Sequence, residues 1–187
     1  RLPGHLEPPF RAMVSDIVAK VSEKPVSVYL CSPEEDAEAR NLMGFFLTRL
    51  IREHIPTALL VDCDFLSVGM TGIVPHRDAL GFLDLLLYGT SLGVISQEAA
   101  HGVRIVGAGS FPVTKKSPFA MDAFESARRY LANQAKCVIF CGPVLDDENQ
   151  IHPLVEAVDL AALVRVGEHF DPRFLDPFEE KLSALEG

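Results

Sequence analysis

Val26-Ser27-Val28-Tyr29-Leu30-Cys31-Ser32-Pro33-Glu34-Glu35-Asp36-Ala37-Glu38-Ala39-Arg40-Asn41 holds the change of hydrophobic period on which the fold turns. Val26 to Cys31 is a short apolar, β-branched run and reads as the first strand. Ser32 then stands as a helix N-cap, Pro33 sits where a missing N–H costs nothing, and Glu35 follows three residues after the cap. Leu42, Phe45, Phe46, Leu50 and Ile51 carry that helix to about His54, and Pro56 ends it. Ala58 to Asp62 is a second apolar run, closing in Asp62-Cys63-Asp64. Strand, helix and strand in this order predict a parallel pair with a crossover helix.

The same alternation extends both ways. Upstream, Phe10, Met13, Val14, Ile17, Val18 and Val21 share a helical face, with residues 1–9 expected to form an irregular arm. Downstream, helices are expected over Leu80–Leu87, Ser91–Glu98, Met121–Gln134 and Ile151–Val158, and strands over Val103–Val106, Cys137–Cys141 and Leu160–Val166. Residues 167–187 read as a tail ending in a helix over Phe178–Leu185. The expectation is a single α/β domain over 1–187, a mostly parallel three-layer sheet covered by helices on both faces. Functional residues in such folds gather at the carboxyl ends of the strands, here after Cys31, Asp62, Val106 and Cys141.

Composition narrows the function classes. The chain has 187 residues, a formal charge of −9 and 48% hydrophobic residues. With a pI near 5.1, its surface repels nucleic acid and anionic membrane. Lys115-Lys116 is the tightest basic cluster and reads as a solvated loop. No apolar run reaches the ~18 residues that span a bilayer. No secretory leader is read, which predicts a cytoplasmic domain. Cys31, Cys63, Cys137 and Cys141 lie in strand-like runs, as buried reduced thiols do, and no histidine or cysteine spacing suggests a metal site.

Six landmarks, in order, resemble the MinD/ParA-type P-loop ATPases, and among them the bacterial tyrosine kinases of capsular and exopolysaccharide export. Phe10-Arg11-Ala12-Met13-Val14-Ser15-Asp16-Ile17 is similar to the helix before their first strand. Leu59-Leu60-Val61-Asp62-Cys63-Asp64 is similar to their Asp-x-Asp motif, and Ala79 to Leu86 with Gly89 to the helix that follows. Val103 to Gly109 with Pro112 and Pro118, then Val138 to Leu145, then Ala157-Val158-Asp159 with Leu163 to Val166, resemble the later strands.

Against that pattern several residues depart. The resemblance places Arg40 at the P-loop Lys, Asn41 at the Ser/Thr, and Ala37 and Ala39 at the two glycines. A working loop needs those glycines for its N–H cradle, the Lys for phosphates and the hydroxyl for Mg²⁺. Glu34, Glu35, Asp36 and Glu38 bring four carboxylates to the place of a triphosphate, and Asp36 is spaced to pair with Arg40 at i,i+4. The helix is therefore expected to begin about two turns early and fill its own anion site. Cys141 replaces the acid that orders Mg²⁺, Leu66 replaces an Arg, and Pro8, Arg11 and Val14 stand where the kinases carry an assembly triplet. Asp62 and Asp64 remain, either as a remnant metal or base site or, the preferred reading, as strand-end carboxylates capping backbone. Cys31 and Cys141 end central strands and read as neighbouring thiols.

The resemblance with these departures implies a pseudo-ATPase or pseudokinase without catalytic residues, in which ATP and Mg²⁺ are not expected. The degenerate site comprises Ser32, Glu35, Asp36, Glu38, Arg40, Asn41, Asp62, Asp64 and Cys141. Its implied role is a scaffold or regulator of exopolysaccharide export at the inner face of the membrane. The implied partners are a membrane polysaccharide co-polymerase, a cognate ATPase or a second copy. Two other readings stay open: an atypical ATP-binding enzyme using Arg40 with Asp62 and Asp64, and a MinD/ParA-like positioning protein.

Overall fold

The computed structural model describes residues 7–65, 70, 80–109, 122–144 and 152–164. Six strands form one sheet in the order β3-β4-β2-β5-β1-β6. They are β1 (Val26–Ser32), β2 (Leu59–Asp62), β3 (Ser96–Glu98), β4 (Arg104–Val106), β5 (Cys137–Val144) and β6 (Leu160–Leu163). All neighbours run parallel except β3, which pairs antiparallel with β4 at the edge. The helices are α1 (Glu7–Val21), α2 (Ala37–Arg52), α3 (Phe82–Tyr88), α4 (Leu92–Ile95), α5 (Asp122–Gln134) and α6 (His152–Ala157).

Period-two alternation divides the strands between two cores. Val26, Val28 and Leu30 of β1 face Val14 and Ile17 of α1 and Phe45, Leu47 and Ile51 of α2. Tyr29 and Cys31 face the opposite core, with Phe82 of α3, Phe124 and Leu131 of α5 and Leu154 of α6. The expected three-layer α/β architecture is the one observed. Within it, Phe82 is the hub of an aromatic group with Phe65, Phe124 and Phe140, ring centroids 5.8–6.2 Å apart.

Local structure departs from expectation in several places. Part of the expected arm, Glu7–Pro9, is the first turn of α1, because Pro is tolerated where helix N–H groups have no partner. Ser91–Glu98 is not one helix: α4 is a single turn, and Ser96–Glu98 pairs with β4. Four residues cannot sustain a helix alone. The antiparallel ladder with β4 gives these backbone groups partners, and Arg104 Nε and Nη2 add donations to Ser96 Oγ at 3.2 and 3.1 Å. On α2, Leu42 is exposed, and Gly44, Leu47, Thr48 and Ile51 make the inner stripe. Val14, one of the three assembly-triplet positions, is buried in the core. Lys115-Lys116, Leu66 and the tail helix lie outside the described residues.

Candidate functional site

The carboxyl ends of β1, β2 and β5 lie side by side, with α2 starting above them. Ser32 does not cap α2. It is the last residue of β1, in register with Val144, and its buried Oγ has no hydrogen-bond partner among the described residues. The chain turns through a 3₁₀ segment, Glu34–Asp36, before α2 opens at Ala37. Helical winding thus begins ahead of Arg40, as expected, but from Glu34 and not from Pro33. Glu34, Glu35 and Glu38 are exposed, whereas Asp36, Arg40 and Asn41 are buried.

Arg40 is the centre of the site. Its side chain is fully buried, and Nη2 donates to Asp64 Oδ2 at 2.9 Å, with Asp64 equally buried. Nε and Nη2 also donate to Asn41 Oδ1 at 3.2 and 3.1 Å. The expected i,i+4 pair with Asp36 is not formed. Facing inward, the guanidinium reaches the Asp64 carboxylate at the exit of β2. Nη1 is buried without a hydrogen-bond partner among the described residues.

Gly142 admits this pair. Its φ is +80°, a conformation that favours glycine, and a Cβ there would lie 3.3 Å from Arg40 Cζ and 2.9 Å from Asp64 Cβ. Sequence reasoning passed over Gly142, although Cys141-Gly142-Pro143 at a strand end was a signal for such close approach.

Asp62 caps backbone: Oδ1 accepts the Asp64 N–H at 3.0 Å and Oδ2 the Met70 N–H at 2.9 Å. Burial pushes its carboxyl up to about 6, against these hydrogen bonds, which pull it down. The capping reading of Asp62 therefore describes its geometry. Asp84 acts similarly, accepting the Gly81 N–H at 2.8 Å at the start of α3.

Cys141 sits in register with Asp62 on β2 and faces α2, where a Cβ on Gly44 would collide with its Sγ. Burial raises the Cys141 thiol well above its ordinary range, and the Cys31 and Cys63 thiols likewise; Cys137 is pushed up to about 12. Cys31 and Cys141 are not neighbouring thiols. Leu30, not Cys31, is in register with Cys141, and the two cysteines belong to opposite cores. Among the described residues no group of three or more His, Cys, Asp or Glu is placed to hold a metal ion. Nor is any helix among them long and apolar enough to cross a membrane.

The structure thus joins Arg40, Asn41, Asp62, Asp64 and Cys141 under Gly142, with Ser32 at the neighbouring strand end and Glu35 and Glu38 turned to solvent. No family model matches the chain, and no curated protein matches it. Solved structures do share the fold. The VpsO kinase domain is 20% identical, with 95% of this chain and 86% of that one covered and a TM-score of 0.68. The chimerical protein CapA2B2 is 15% identical, covering 95% and 78%, with a TM-score of 0.71. The kinase domain of the Escherichia coli tyrosine kinase ETK is 14% identical, covering 95% and 69%, with a TM-score of 0.68. The fold is that of bacterial tyrosine kinase domains.

Proposed function

We propose that this chain is a non-catalytic member of the kinase-like P-loop proteins. In this reading it is a scaffold or regulator in bacterial exopolysaccharide or capsule export, acting at the inner face of the cytoplasmic membrane. One observation carries the reading. The side chain at the position of the phosphate-binding Lys is spent on a fully buried ion pair, Arg40–Asp64. With Nη2 on Asp64 and Nε and Nη2 on Asn41, only Nη1 is left to meet a phosphate, and the guanidinium charge already compensates a buried carboxylate. Backbone glycine is absent from Ser32 to Asn41, so no N–H cradle replaces it. Cys141, a thiol under Gly44, offers no hard oxygen to Mg²⁺. The donor set does not fit Mg·nucleotide, and no phosphoryl-transfer step is assigned to it.

Partners would be proteins: a membrane polysaccharide co-polymerase, like those served by the kinases that the sequence resembles, or a cognate ATPase. The test is thermal stability with Mg·ATP and Mg·ADP. A ligand at 100 times its dissociation constant adds about 2.7 kcal/mol. An unchanged melting temperature supports the scaffold, and a rise of that size overturns it.

A second reading, an atypical ATP-binding enzyme using Arg40 with Asp62 and Asp64, has one observation in its favour: the unpartnered Arg40 Nη1 and Ser32 Oγ. Buried orphans of this kind cost roughly 1–3 kcal/mol each unless a ligand or water meets them. A nucleotide-dependent stabilisation abolished by Arg40→Met would support that enzyme.

A further inference from the structure

Three of the five large apolar side chains exposed among the described residues, Leu87, Tyr88 and Val94, lie close together in sequence. They belong to the run from Leu85 to Gln97, which carries no charge in a chain of which 23% is charged. Gly89, with φ +66°, ends α3 in a left-handed turn, and Tyr88 just before it is left 76% exposed. Beside this turn, α3, the start of α4 and α5 enclose a groove of about 390 Å³. Its lining joins the buried Leu85, Leu86 and Ala127 to the hydroxyls of Ser91, Ser126 and Tyr130, and none of it is charged. Leu92 N–H donates to Tyr130 Oη at 3.0 Å, which ties α4 to α5 across the groove.

Charge and shape together choose the occupant. At a formal charge of −9, two copies of this chain repel each other in most orientations, and least where uncharged faces meet. Leu85 to Gln97 with the groove is such a face. A basic segment, by contrast, finds no carboxylate in the lining. Shape adds self-complementarity, since an exposed aromatic knob stands next to an open groove on one surface. A two-fold axis sets each copy's knob at the other's groove, so both are filled at once. A tyrosine ring has an apolar body and a polar tip, which suits a lining of leucine, alanine and hydroxyls.

We propose that this face is a homodimer interface, an isologous contact in which Tyr88 of each copy enters the groove of the other, with Leu87 and Val94 packed beside it. The patch is small, so the dimer belongs to the weak, transient class. Helices α3 and α5 lie across the sheet from α2 and Arg40. The contact is therefore independent of the nucleotide question, and self-association and nucleotide titration have separate readouts.

Sedimentation velocity over a range of protein concentration and salt tests it. The wild-type chain is expected to reach a dimer and stop there. It should dimerise more readily in high salt, where repulsion between two acidic copies is screened. Y88D spoils the knob and S126W fills the groove, and each is expected to weaken dimerisation at least about tenfold. Y88S and V94S carry the same test with smaller effects should either prevent folding, which circular dichroism reads. Oxidative cross-linking of cysteine variants reads the register, the native thiols being buried. Mixed Y88C and S126C chains are expected to link to one another more than to themselves. A chain that stays monomeric up to about 1 mM overturns the proposal and leaves the groove to another protein. Growth beyond the dimer, dissociation in high salt, indifference to Y88D and S126W, or same-variant links outnumbering mixed ones overturns it too.

Discussion

Removing Asp64 while keeping Arg40 strands a guanidinium that is fully buried and, among the described residues, otherwise hydrogen-bonded only to Asn41. Breaking a buried pair from one side costs about 3–5 kcal/mol, whereas replacing both members by apolar groups is often close to neutral. For a domain of 187 residues, an unfolding entropy near 2.1 cal/mol/K per residue makes 1 kcal/mol worth about 2.5 °C. Asp64→Ala should then lower the melting temperature by about 8–13 °C. Arg40→Met should fall in the same direction. The double variant should be no less stable than either single one, a coupling of at least about 3 kcal/mol. Urea unfolding followed by circular dichroism at pH 7 measures all four corners of the cycle. Additive single losses, with coupling under about 0.5 kcal/mol, would refute the reasoning, for the pair would then not be the closed unit described.

Further expectations follow from neighbouring contacts. Gly44→Ala should destabilise by about 1–3 kcal/mol through overpacking against Cys141, and Cys141→Ala should recover much of that loss; a neutral Gly44→Ala in urea unfolding would contradict the packing. Asp62 has a folded-state pKa raised from 3.8 to about 6, so the native state holds its proton more readily than the unfolded chain. Its contribution to stability therefore falls as pH rises from about 4 to 6 and returns on acidification, by about 3 kcal/mol at most. Asp62→Asn should flatten that slope between pH 6 and pH 4, and an unchanged slope would remove the assignment. All four cysteines are buried, with thiols raised by burial, and should resist a thiol reagent until denaturant is added. Rapid labelling of the native protein would count against that placement.

Much of the architecture was legible because its strands are continuous apolar runs bounded by turn residues, as at Val26–Ser32 and Cys137–Val144. The α4–β3 segment was not. Leu92, Val94 and Ile95 mimic a helical face, yet Val94 is exposed and the chain leaves the helix after one turn to pair with β4. The site was legible in its membership but not in its wiring. Arg40 has Asp36 one turn away in sequence, while its true partner, Asp64, lies 24 residues on, brought near only by the crossover from β1 to β2. Local spacing cannot weigh a tertiary partner against a nearer one. Gly44 and Gly142 escaped notice for the same reason, since what each glycine makes room for comes from another element.

Calorimetric titration of Mg·ATP into the purified chain tests the central claim most directly. With Arg40 locked on Asp64, the account predicts heats indistinguishable from dilution, for the wild type and for the apolar double variant alike. Saturable, Mg²⁺-dependent binding by the wild type would contradict it.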